Sequence, residues 1–129
     1  MRLLLDTHVF LWACIEPERL SASEQDAIGD PRNDVFVSAA SAWEIAIKRA
    51  LGRLSFPAER FDEFADAMGF RLLPITSSHG IAAGGLPPHH GNPFDRMLIA
   101  QAKAEGLAVV TNDGRFPQYD VALFSTAKS

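Results

Sequence analysis

Four carboxylic acids stand where backbone pattern and side-chain chemistry coincide. Asp6 directly follows the apolar run Leu3-Leu4-Leu5, and Asp113 follows Leu107-Ala108-Val109-Val110 after Thr111-Asn112. Glu44 is the only charge between Val35 and Ile47. Asp95 falls in the first turn of a helix opened by Asn92-Pro93, stacked with Leu98, Ile99 and Ala102. Carboxylates gathered without a His or Cys partner suit hard divalent cations, Mg²⁺ or Mn²⁺. Such cations stabilise both ends of a phosphodiester displacement and lower the pKa of an attacking water. Each acid also has an ordinary explanation. Asp6 is a good N-cap and Asp113 a good turn residue before Gly114. Glu44 can pair with Lys48 on a polar helix stripe, and Asp95 can complement a helix N-terminus. It is their conjunction that points to chemistry. The remaining acids, Glu24 among them, read as charges on amphipathic or exposed stretches.

The elements around these acids alternate. Short apolar runs at 2–5, 35–37, 70–73 and 107–110 read as strands, with 121–124 as a fifth. Helices are expected at 7–15, 22–29, 39–51 and 57–68, then a short one capped by Ser77 or Ser78, then 94–105. Ser21 with Glu24 forms a capping box, and Gly29, Gly52, Gly69 and Gly106 mark helix ends. Apolar strands without period-2 alternation, separated by helices, predict a parallel sheet covered on both faces. The fold class is therefore a three-layer α/β domain with a central parallel sheet of four to five strands. Its ligand site belongs at the carboxyl ends of the strands, where Asp6 and Asp113 fall.

Composition narrows the function. The 129 residues suit one domain, residues 1–129, and 47% of them are hydrophobic, which argues against disorder. Acids outnumber bases 16 to 12, so a protein that coats nucleic acid by bulk charge is excluded. Without the four acids above, 16 − 4 = 12 acids balance 12 bases, so the acidic excess equals the proposed site. One cysteine, Cys14, rules out an internal disulfide and reads as a small core residue beside Trp12 and Ile15. No signal peptide or membrane span is evident, which fits a soluble cytoplasmic protein. Trp12 and Trp43 read as core aromatics.

At these positions the sequence resembles the PIN-domain family, in particular the VapC toxins of type II toxin–antitoxin modules. The resemblance spans essentially the whole chain. It rests on Leu3-Leu4-Leu5-Asp6-Thr7-His8, Ser41-Ala42-Trp43-Glu44-Ile45, the stretch from Leu86 to Arg96, and Thr111-Asn112-Asp113 with Phe116. The Pro93-Phe94-Asp95-Arg96 helix start, followed by Leu98-Ile99-Ala100-Gln101-Ala102, is its most specific part. The resemblance implies a PIN fold and a Mg²⁺- or Mn²⁺-dependent endoribonuclease acting on single-stranded or loop RNA. It also implies a homodimer neutralised by a cognate VapB-like antitoxin. The family's four acids map onto Asp6, Glu44, Asp95 and Asp113, with Thr7, Thr111 and Asn92 in support. Relatives commonly carry Asp where this chain has Asn92, which implies weaker metal binding if that Asp aids the metal.

Arg96 follows Asp95 and is a candidate for phosphate or for an acid partner. Lys48, Arg49 and Arg53 form a basic cluster that can guide an RNA backbone or simply complement a helix C-terminus. His90 matches a common family position and is expected to order its Pro/Gly loop. Two rivals carry different signatures. A haloacid-dehalogenase-type phosphatase needs a second Asp two residues after the first, where this chain has His8. A PIN-like module that only binds RNA or a partner would have lost an acid, and all four are present.

Overall fold

A computed structural model describes residues 1–124 of the chain. Four strands form one parallel sheet: β1 (Arg2–Leu5), β2 (Asp34–Ser38), β3 (Arg71–Leu73) and β4 (Ala108–Val110), in the order β3-β2-β1-β4. Leu3 pairs with Val35 on one side and with Ala108 on the other. The helices are α1 (Thr7–Ile15), α2 (Ala22–Gly29), α3 (Ala39–Ala50), α4 (Phe61–Ala67), α5 (Ser77–Gly84) and α6 (Pro93–Glu105). Among the described residues, no helix is long and apolar enough to cross a membrane.

The strand order carries the functional geometry. The chain runs outward from β1 through β2 to β3, then returns to lay β4 on the other side of β1. The ends of β1 and β4 therefore border a topological switch point, where open α/β sheets hold ligands. Asp6 caps α1 at that place, its Oδ1 accepting the Val9 amide at 2.8 Å.

The pleat of β1 sorts its leucines to the two faces. Leu3 and Leu5 join Val9, Phe10, Ile45, Phe56 and Phe61 in one core. Leu4 joins Val109, Leu98, Ile99 and Phe116 in the other. Both faces are thus covered, as the unbroken apolar runs predict. Helix α3 reaches both cores, through Ile45 to one and Ala40 to the other.

Several expectations need correction. The fifth strand, 121–124, is a single bridge from Leu123 to Val109, flanked by two backbone bonds to Val109. Both bonds fall on Val109 alone, so among the described residues the sheet has four strands. Helix α4 is shorter than 57–68, because Ala58–Arg60 form a 3₁₀ turn ahead of it. Thr76, not a serine, caps α5, in a reciprocal box with His79. Trp43 is 59% exposed and sits edge-on against Phe94 rather than in the core. Cys14 is half-buried against the first core, while Ile15 is exposed. Glu24 is buried, because its capping-box carboxylate folds back onto the Ser21 amide.

Candidate metal and catalytic centre

Two short tethers bring the acids together. Thr111, just past β4, donates its hydroxyl to Asp6 Oδ2 and accepts the Asp113 amide at 3.1 Å. One hydroxyl therefore couples the ends of β1 and β4. It supports both acids, its proton going to Asp6 and its oxygen holding the Asp113 amide. On the other side, Thr7 donates to Glu44 Oε1 at 2.6 Å and lies 2.9 Å from Ser41 Oγ, fastening α1 to α3. Helix α6 is aligned by Asn92, whose Oδ1 accepts from Phe94 N at 2.9 Å and Asp95 N at 3.3 Å. Buried Gln101 locks the same helix to the end of β2, accepting from Ser38 Oγ at 2.6 Å.

The result is one cleft of about 140 Å³ lined by Asp6, Thr7, His8, Glu44, Lys48, Asn92, Asp95, Asp113 and Arg115. All four acids singled out from sequence face it. Burial raises the Asp6 carboxyl to about 6, against the pull of Thr111 and Val9. Burial also raises Asp95, and the charges of Glu44 and Asp113 push it the same way, against the hydrogen bond from His90. Asp6 and Asp95, desolvated so that they resist ionisation, match a site for a divalent cation, whose charge would offset that penalty. The donor set, mostly carboxylate oxygen, fits Mg²⁺ or Mn²⁺.

Basic groups answer the acids at the rim. Lys48 Nζ lies 2.8 Å from Glu44 Oε2, so the i,i+4 pair forms and the glutamate still lines the cleft. Arg49 is drawn away to Glu59, and Arg53 is absent from the lining. Among the described residues, Arg96 pairs with no acid. Its guanidinium donates to the carbonyls of Ala83, Leu86, Pro87 and His90, and so clamps that loop.

Besides His8 in the lining, two residues that the sequence reading did not place at the site hold its acids directly. Arg115 holds Asp113 by a two-point contact of 3.1 and 2.9 Å, which lowers that carboxyl to about 2. Its signal was its position two residues after Asp113, the spacing of a local turn. His90 Nε2 meets Asp95 Oδ2 at 2.7 Å, and His90, Asp95 and Asp113 each bring a ligand atom within 4.8 Å of the others. Asp6 and Glu44 fall outside that tight group because their oxygens turn toward Val9, Thr111, Thr7 and Lys48.

Fold and site together define a class: a three-layer α/β protein with a cation-suited acidic cleft at the switch point of its parallel sheet. The chain belongs to the PIN-domain family, whose model matches residues 3–122, and within it to the VapC type. It is 34% identical over 120 residues to Ribonuclease VapC22 of Mycobacterium tuberculosis, covering 87% of each chain. Among solved structures it is similar to FitAcB from Neisseria gonorrhoeae, with a TM-score of 0.68, 27% identity and coverage of 95% of this chain and 96% of that one. It also shares its fold with VapBC2 from Rickettsia felis bound to a promoter DNA fragment, with a TM-score of 0.67, 19% identity and coverage of 97% and 98%.

Proposed function

We propose that this protein is the toxin of a VapBC-type module, a Mg²⁺- or Mn²⁺-dependent endoribonuclease that hydrolyses single-stranded or loop RNA. The observation that carries the reading is the convergence of Asp6, Glu44, Asp95 and Asp113 on one cleft. The relation to Ribonuclease VapC22 supports RNA as the substrate.

In this reading the four acids hold the cation. When bound, the cation supplies charge neutralisation at the scissile phosphodiester and acidity for the attacking water. The protein's own residues do the positioning. Thr111 orients Asp6, Thr7 orients Glu44, and His90 orients Asp95. Asn92 keeps the capping role that an Asp there would have, so the helix start survives the replacement. Lys48 and Arg115 bring positive charge to the rim, where a phosphate arrives. No side chain here is needed as a general base.

The proposed partners are a cognate VapB-like antitoxin and a second copy of the chain, in the cytoplasm, with residues 1–129 acting as one domain. Exposed Trp43, Ile47 and Leu51 on and just after α3, with Ile81 on α5, support self-association. The test is induced expression followed by sequencing of cellular RNA ends, with Asp6→Asn as control. Purified protein should cleave the same RNA with Mg²⁺ or Mn²⁺ and stop in EDTA. Equal cleavage by Asp6→Asn, or in EDTA, overturns the reading.

A further inference from the structure

Beside the carboxylate cleft lies a second hollow of about 280 Å³, lined by Asp6, His8, Val9, Trp12, Asn112 and Asp113. Asp6 and Asp113 belong to both spaces, so a ligand held at the acids reaches the hollow directly. His8 and Trp12 are four residues apart on α1 and share a face, with ring centroids 6.1 Å apart and planes at 47°. His8 is exposed and Trp12 half-buried. The Arg19 guanidinium packs 4.9 Å from the centre of the Trp12 ring, which steadies the indole. Asn112 is exposed and carries both a donor and an acceptor.

This combination has a chemical meaning. Bases of single-stranded RNA stack on aromatic rings, and side-chain amides read their edges. A ligand with an anionic group for the cation site and a planar group a short reach away is a nucleotide. The geometry points to a nucleobase subsite in this hollow, with Trp12 and His8 providing the stacking surface and Asn112 the edge contact. It serves the base next to the phosphate in the carboxylate cleft, and it rests on the nuclease reading above. Trp12 is then more than a core aromatic, and His8 acquires a role that its position in the sequence did not reveal.

The test measures binding apart from cleavage. Full-length Asp6→Asn protein prevents turnover, and fluorescence anisotropy follows a labelled single-stranded RNA decamer of mixed sequence. A matched decamer lacking bases is the control. Trp12→Ala is expected to weaken binding of the base-bearing RNA about tenfold or more, with little change for the abasic one. Trp12→Phe should restore most of the loss. His8→Ala, at an exposed position, should give a smaller loss of the same kind and guards against misfolding of Trp12→Ala. Equal affinity of every variant for base-bearing and abasic RNA overturns the subsite. So does a Trp12→Ala defect confined to an antitoxin-derived peptide, which would give the hollow to a protein partner. Cleavage by the wild type is scored separately. Cleavage without base discrimination defeats the subsite alone, and base discrimination without cleavage defeats the nuclease reading alone.

Discussion

Thr7, the first residue of α1, donates its hydroxyl to Glu44 of α3 at 2.6 Å, and both side chains are buried. The bond fixes a catalytic candidate from the helix that Asp6 caps. Thr7→Val keeps the shape and removes the donor, leaving a buried carboxylate oxygen short of a partner. A loss of about 1–3 kcal/mol is expected, read from urea unfolding, whereas Thr7→Ser should retain most of the stability. An unchanged midpoint for Thr7→Val would show that Glu44 finds its hydrogen bond elsewhere.

The Asp6 carboxyl, raised by burial to about 6 from 3.8, makes the cation-free protein pH-sensitive. A native pKa above the unfolded one means that the folded state holds the proton more tightly. The group therefore costs nothing well below pH 4, and its cost grows as pH rises from about 4 to about 6. Above that it is a constant deficit of about 3 kcal/mol. In EDTA, Asp6→Asn should be more stable than the wild type at pH 8 and equal to it at pH 3.5. Cation affinity of the wild type, followed by calorimetry, should fall below pH 6 as protons compete for Asp6.

Arg115 grips Asp113 at two points and competes with any cation for that carboxylate. Arg115→Gln should bind Mn²⁺ severalfold more tightly, because a positive charge leaves the cleft. The same variant should bind RNA more weakly, because a phosphate loses a partner. Titration with Mn²⁺ and with RNA separates the two effects. A parallel fall in both would mean that Arg115 only holds the loop.

Arg96 gathers four carbonyls of the 83–90 segment, and Tyr119 Oη adds a bond to Pro87 O at 3.0 Å. Lysine cannot reproduce a planar fork over so many acceptors. Arg96→Lys should therefore loosen the loop that carries His90, and limited proteolysis should cut between Leu86 and Gly91 faster than in the wild type. Tyr119→Phe should do the same to a lesser degree. Resistance equal to the wild type in both variants would remove the clamp.

Much of the fold was legible because its signals are local. Apolar runs without alternation, the Ser21–Glu24 box and the Asn92-Pro93 start each depend on residues within one turn of each other. The signals failed where the deciding partner was distant or the element short. Trp43 read as core, but α3 turns it outward against Phe94. The fifth strand had the composition of a strand and only one bridge available to it.

The sequence by itself determined the acids, their order and the parallel sheet that must carry them, because residue type and period survive without three-dimensional information. Only the tertiary structure decided how those acids are served. It sends Arg96 to loop carbonyls and Arg49 to Glu59 while bringing Thr111 to Asp6, Thr7 to Glu44 and His90 to Asp95. The reason is physical. A guanidinium or imidazole binds whichever acceptor the fold brings within about 3 Å. Although each residue's chemistry is written in the chain, most of those distances span separate elements that meet only when the sheet and helices pack.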